Sequence, residues 1–123
     1  MLAVPLRRGQ IVLAELDPVV GEEQSKTRAV LIVSNDGANA SVSQTGRGVV
    51  TILPFTSNVT EAAALRPFQV VVPAAESGLQ RDSVAQAEQV RSIAVARIVR
   101  SLGFLSTASM AAIDEALRVH LSL

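Results

Sequence analysis

The chain holds a single lysine, Lys26, and a single histidine, His120, so any chemistry must be assembled from few side chains. Lys26 and Arg28 close a polar, Gly-led stretch, residues 21–28 (GEEQSKTR), that runs straight into the apolar run 29–33 (AVLIV). Two carboxylates, Glu22 and Glu23, stand just before them. Arg28 opens the most apolar strand, near the rim of a sheet, where a guanidinium can hold a phosphate through two parallel hydrogen bonds. The other assignment for Arg28 is an anchor to Glu15 or Asp17 across a hairpin. Thr56 ends another strand-like run and is followed at once by Ser57 and Asn58; taken alone, its hydroxyl reads as a cap or turn group.

Elimination narrows the chemistry. The sequence contains no cysteine, so thiolate nucleophiles, disulfides and Cys-based zinc sites are out. With one histidine, a two-histidine acid/base pair cannot be built in one chain, and a Ser-His-Asp triad would need that same residue without a GxSxG stretch. His120 falls near the end of a terminal helix, where the helix dipole favours it. The pairs Glu22-Glu23 and Asp114-Glu115 are adjacent rather than spaced as metal ligands, so neither metal nor cofactor is expected. Gly46-Arg47-Gly48 lacks the continuation of a phosphate-binding loop and reads as a turn.

Charge and hydropathy bound the setting. Eleven basic residues balance eleven acidic ones, so no global field draws in a polyanion or a membrane, and any anion site must be local. The longest apolar runs are far too short to span a bilayer. The opening MLAVPLRR lacks a charged region ahead of an apolar stretch, so no signal peptide is expected, and a cysteine-free chain fits the cytoplasm. Asn58-Val59-Thr60 matches a glycosylation acceptor but reads as ordinary loop.

The elements that must position these residues follow from the apolar pattern. Strands are expected over residues 10–16, 29–34, 48–55, 68–72, 83–90 and 98–105, bounded by Gly9, by Asn35-Asp36-Gly37 and by turns at Ser77-Gly78 and Arg81-Asp82. Pro54 marks an edge or a strand end. A terminal helix capped by Ser106 or Thr107 carries the stripe Met110, Ile113, Leu117, Leu121. Residues 17–28, 35–47 and 57–67 are expected as loops, far longer than the roughly 2–5 residues of ordinary hairpins. The expected architecture is one domain over residues 1–123, mainly β, a small antiparallel barrel or strongly curled sheet with a C-terminal helix packed on it.

These residues accumulate into a family. Arg8-Gly9-Gln10-Ile11-Val12, Leu16-Asp17-Pro18, Gly21-Glu22-Glu23-Gln24, Arg28 and Val30 onward come in order. They are followed by Pro54-Phe55-Thr56-Ser57-Asn58, Asp82-Ser83-Val84, Glu88-Gln89-Val90-Arg91-Ser92-Ile93, and then Met110, Ile113 and Ala116-Leu117. Over nearly the whole chain this resembles the MazF/PemK toxins of toxin–antitoxin pairs. The resemblance implies an SH3-like barrel, a homodimer and a metal-independent endoribonuclease, an mRNA interferase that cuts single-stranded RNA at a short sequence. It also implies a cognate antitoxin whose acidic, flexible tail occupies the same groove. The family's catalytic arginine falls on Arg28 and its catalytic threonine on Thr56. Glu23 is the candidate acceptor of the 2′-hydroxyl proton. Gln24, Lys26, Ser57, Glu88 and Gln89 are the candidate RNA-binding residues.

Two departures stand out. Relatives commonly carry Pro directly after the arginine, where this chain has Ala29. The chain also has no Tyr or Trp and only Phe55, Phe68 and Phe104, so base stacking must rest on phenylalanine or arginine planes. Two other functions fit the same fold: a CcdB-like gyrase poison, which works through a C-terminal tryptophan absent here, and a catalytically inactive antitoxin-binding module.

Overall fold

The computed structural model describes residues 5–16, 27–57 and 66–123. Seven strands occur in these segments: β1 (Gln10–Glu15), β2 (Thr27–Ile32), β3 (Val49–Thr56), β4 (Gln69–Val72), β5 (Ser83–Gln86), β6 (Arg91–Ala94) and β7 (Ile98–Phe104). Three helices accompany them: α1 (Asp36–Thr45), α2 (Ala74–Ser77) and α3 (Thr107–Leu121).

The central strands are apolar at consecutive positions because both of their faces are covered. Val12, Val30, Ile32, Val50, Ile52 and Ile93 point to one core, against which Val42 of α1 packs. Ile11, Leu31, Leu53 and Phe55 point to the other, which Ile113 and Ala116 of α3 close. Alternation along each strand thus feeds two separate cores from one sheet.

The strand order is β4-β5-β3-β2-β1-β7, all antiparallel, with β6 also paired to β3. β3 is the hub. Its one edge carries β2, and its other edge is shared by β6 opposite Val49–Ile52 and β5 opposite Phe55 and Thr56. The expected class holds: mainly antiparallel β with a C-terminal helix. The sheet is not closed into a full barrel, since its path ends at β4 and β7.

Three local expectations change. Residues 35–47 are not simply a loop: they hold α1, capped by Asn35, whose side chain accepts from the Ala38 N–H at 2.8 Å, and ended by Gly46 in the left-handed region. The expected strand over 83–90 stops at Gln86, turns through a short 3₁₀ segment (Ala87–Gln89), and resumes as β6. Pro54 sits in the central strand, not at an edge. It is tolerated there because β6 ends opposite Ile52 and β5 begins opposite Phe55, leaving its stretch of that edge without a partner.

α3 starts where the sequence puts it. The Ser106 hydroxyl accepts from the Ser109 N–H, and Ile113 and Ala116 are buried. Met110 and Leu117 pack partly against the core, but Leu121, the last of the stripe, is 48% exposed.

Candidate functional site

Arg28 stands at the start of β2, opposite Ala14, two residues before the first fully buried residue of that strand, Val30. The β2–β3 ladder pairs Val30 with Pro54 and Leu31 with Leu53. The ladder ends at Val30 and Pro54, and beyond it Arg28 and Thr56, the last residue of β3, lie at the same end of the two strands. The mouth of the β1–β2 pair is held from behind. Arg97 donates from Nη1 to the Glu15 carbonyl at 2.9 Å and to the Leu16 carbonyl at 3.2 Å. No ion pair joins Arg28 to Glu15 among the described residues; Asp17, the other anchor considered, lies outside them.

Arg28, Thr56 and Ser57 line one open cleft of about 820 Å³. Its floor collects residues from five strands in spatial order: Ser83 on β5, Thr56 on β3, Arg28 on β2, Leu13 on β1 and Arg100 on β7. One wall is the segment after α2, contributing Leu79, Gln80 and Arg81. Among the described residues three arginines therefore border the cleft and no carboxylate does. In a chain of zero net charge, that is a strong local concentration of positive charge.

The wall is fixed from two directions. Gly78 ends α2 at φ 74°, and a Cβ there would come within 3.3 Å of the Leu102 carbonyl of β7, so the close approach needs glycine. The Asp82 carboxylate accepts from the Ala74 N–H at 2.8 Å and staples the segment to the start of α2. Glu76 reaches across to α3, where its Oε1 accepts from the Ser106 hydroxyl, the Ser109 hydroxyl and the Ser106 N–H. The Ser106 hydroxyl, with Ser109 next, holds the Glu76 carboxyl below its ordinary value.

The other sequence candidates fall elsewhere. Glu88 lies in the 3₁₀ turn after β5, half-buried; its Oε2 accepts from Gln69 Nε2 at 3.1 Å. Its Oε1 is buried with no hydrogen-bond partner among the described residues. Gln89 follows it, exposed, and neither residue borders the cleft. Glu23, Gln24 and Lys26 lie outside the described residues. His120 sits in the last turn of α3 with its ring 5.8 Å from that of Phe68, edge to face. Among the described residues no group of three His, Asp or Glu side chains is arranged to hold a metal ion.

Arg81 and Arg100 were not singled out in the sequence. Arg81 fell in an expected turn and Arg100 within an expected strand; only the cross-strand order brings them beside Arg28.

Comparison with known proteins agrees with this geometry. Residues 7–121 match the family described as PemK-like, MazF-like toxin of type II toxin-antitoxin system. The chain is 49% identical to Endoribonuclease MazF9 of Mycobacterium tuberculosis over 118 residues, covering 96% of this chain and 98% of that one. It is 35% identical to Endoribonuclease EndoA of Bacillus subtilis, covering 96% of each. Among solved structures it superposes on MazF from a MazE-MazF crystal structure of Deinococcus radiodurans with a TM-score of 0.75, at 25% identity and 98% coverage of both chains. It superposes on the Mycobacterium tuberculosis toxin MazF-mt6 with a TM-score of 0.71, at 27% identity and covering 93% of this chain and 97% of that one. With its sheet, its terminal helix and its full-length matches in accord, the chain belongs to the PemK-like, MazF-like toxins of type II toxin–antitoxin systems.

Proposed function

We propose that this chain is an endoribonuclease toxin that cuts single-stranded RNA at a short sequence without a metal ion. The observation that carries the reading is that Arg28 and Thr56 line one cleft together with Arg81 and Arg100. The reaction suits such a site. The RNA's own 2′-hydroxyl attacks the adjacent phosphorus while the bond from phosphorus to the 5′-oxygen breaks. The products are a 2′,3′-cyclic phosphate and a 5′-hydroxyl. The 2′ proton leaves to a base, and a proton is delivered to the departing 5′-oxygen.

The nucleophile arrives with the substrate, so the protein has to align it and stabilise the extra negative charge. In this reading Arg28 binds the developing charge and serves the leaving oxygen, and Thr56 holds the phosphate in line. Glu23 accepts the 2′ proton. Gln24, Lys26, Ser57, Glu88 and Gln89 contact the RNA.

The partners follow from family membership: a cognate antitoxin with an acidic, flexible tail competing for the cationic cleft, and a second copy of the chain in a homodimer. Among the described residues no helix is long and apolar enough to cross a membrane, and an RNA substrate fits action in the cytoplasm, where cutting messages restrains growth under stress. The test incubates antitoxin-free protein with a long single-stranded RNA in EDTA and maps the new ends. Discrete cuts bearing 5′-hydroxyls, lost in Arg28→Ala and Thr56→Ala, support the reading. A folded protein that cuts nothing overturns it.

A further inference from the structure

The cleft carries more positive charge than one scissile phosphate requires. Arg28 and Thr56 occupy the middle of the strand order, on β2 and β3. Arg81 leads into β5 on one side of that pair, and Arg100 lies on β7 on the other. Neighbouring strands lie about 4.8 Å apart, so the β7 backbone at Arg100 is two strand spacings, about 10 Å, from β2. The β-register agrees, since Leu13 faces both Ala29 of β2 and Arg100 of β7. A volume of about 820 Å³ has room for several nucleotide groups rather than one.

Neither outer arginine is spent on the fold. The side chains of Arg81 and Arg100 are exposed, and neither enters an ion pair among the described residues. Arg8 and Arg97, by contrast, are tied to Asp114 and to backbone carbonyls. Ser101, beside Arg100, also borders the cleft; its hydroxyl accepts from Gln10 Nε2 and keeps a neutral donor suited to a phosphate oxygen.

We infer that Arg81 and Arg100 are flanking-phosphate residues: the RNA backbone crosses the sheet transverse to its strands. Arg81 holds a phosphate on one side of the cut and Arg100 holds one on the other. This rests on the endoribonuclease reading and adds to it the path of the bound strand. Because the contacts are to phosphate, they set position and affinity rather than base preference.

The experiment measures binding of a short single-stranded RNA made uncleavable by a 2′-O-methyl group at the mapped cut, across a series of salt concentrations. On single strands each neutralised phosphate contributes a slope of about −0.7 in log K against log salt. Arg81→Ala and Arg100→Ala should each flatten the slope by about that amount and weaken binding about tenfold at low salt. Arg81→Lys and Arg100→Lys, which keep the charge, should restore the slope. Arg118→Ala, on the exposed side of α3, should leave it unchanged. Thermal melting of each variant establishes that it is folded.

Truncating the RNA from each end in turn tests the path. Removing nucleotides from one end should abolish the effect of one variant, and removing them from the other end the effect of the other. Unchanged slopes in both alanine variants overturn the inference while leaving cleavage by the wild type intact. So does a common response of both to truncation at the same end. Loss of affinity for an oligoglutamate peptide alone, with RNA binding untouched, also overturns it and assigns the two arginines to a protein partner. A wild-type protein that neither binds nor cuts RNA removes the endoribonuclease reading itself, a result distinct from all of these.

Discussion

Arg97 reaches over 82 residues of chain to donate a hydrogen bond at 2.9 Å to the backbone carbonyl of Glu15, the last residue of β1. Glu15 pairs with Thr27, and Thr27 is bonded to Arg28. The guanidinium thus fixes the strand end against which the proposed catalytic arginine is set. Displacements of about 1 Å at a reacting centre can cost about a hundredfold in rate. Arg97→Met is expected to lower kcat by about tenfold or more with a smaller change in KM. Arg97→Lys, able to reach the same carbonyls, should recover part of it. Equal loss in both variants, or loss confined to KM, would argue against a positioning role.

Arg28→Ala and Thr56→Ala are each expected to slow cleavage by about 10²–10³-fold, the usual effect of removing one donor to a developing anion. Arg28→Lys keeps a charge but not the planar fork, so its activity should fall between wild type and alanine. Single-turnover cleavage of a defined RNA reads these out. An alanine variant within twofold of wild type would exclude that residue from the chemistry.

Glu76 predicts a pH signature. Its carboxyl is held below the ordinary value by the Ser106 and Ser109 hydroxyls, so its contribution to stability is fully present above the unfolded carboxyl's pKa. That contribution fades as pH falls through the lower folded value. Glu76→Ala should therefore melt at a lower temperature than wild type near pH 7, and the gap should narrow as the solution is acidified below about pH 4.5. A gap independent of pH down to the acid limit would mean the carboxylate is not what joins α2 to α3.

Asn39 is wholly buried, donating from Nδ2 to the Ser34 carbonyl at 2.8 Å and accepting from the Ser34 hydroxyl at 2.6 Å. Asn39→Ala leaves those buried groups unmatched and is expected to cost about 1–3 kcal/mol in urea unfolding. Cleavage measured below the transition should be retained, because α1 does not border the cleft. Stability equal to wild type would show that another contact holds α1.

How much of this was legible in the sequence depended on what each element buries. β1, β2, β3 and α3 show in the apolar pattern because they bury Val, Ile and Leu at strand or helix spacing. α1 does not show, because its one buried residue is the polar Asn39 and its sequence, DGANASVSQT, has no apolar stripe. The break between β5 and β6 passes through Ala87-Glu88-Gln89-Val90, with neither glycine nor proline to announce it. Arg28 and Thr56 were visible through the strings around them. Arg81 and Arg100 were not, since they become neighbours of Arg28 only through cross-strand pairing, which no local spacing reveals.

The pairing of β1 with β7 has a consequence in time. β1 spans Gln10–Glu15 and β7 spans Ile98–Phe104, so the cleft floor joins two segments from opposite ends of the chain. Chains are made at about 5–20 residues per second and long-range pairings form late. A nascent chain still lacking β7 has Arg28 and Thr56 but neither Arg100 nor the strand that backs β1. On the proposed function, the cleft is therefore complete for RNA only after β7 has been made and paired with β1.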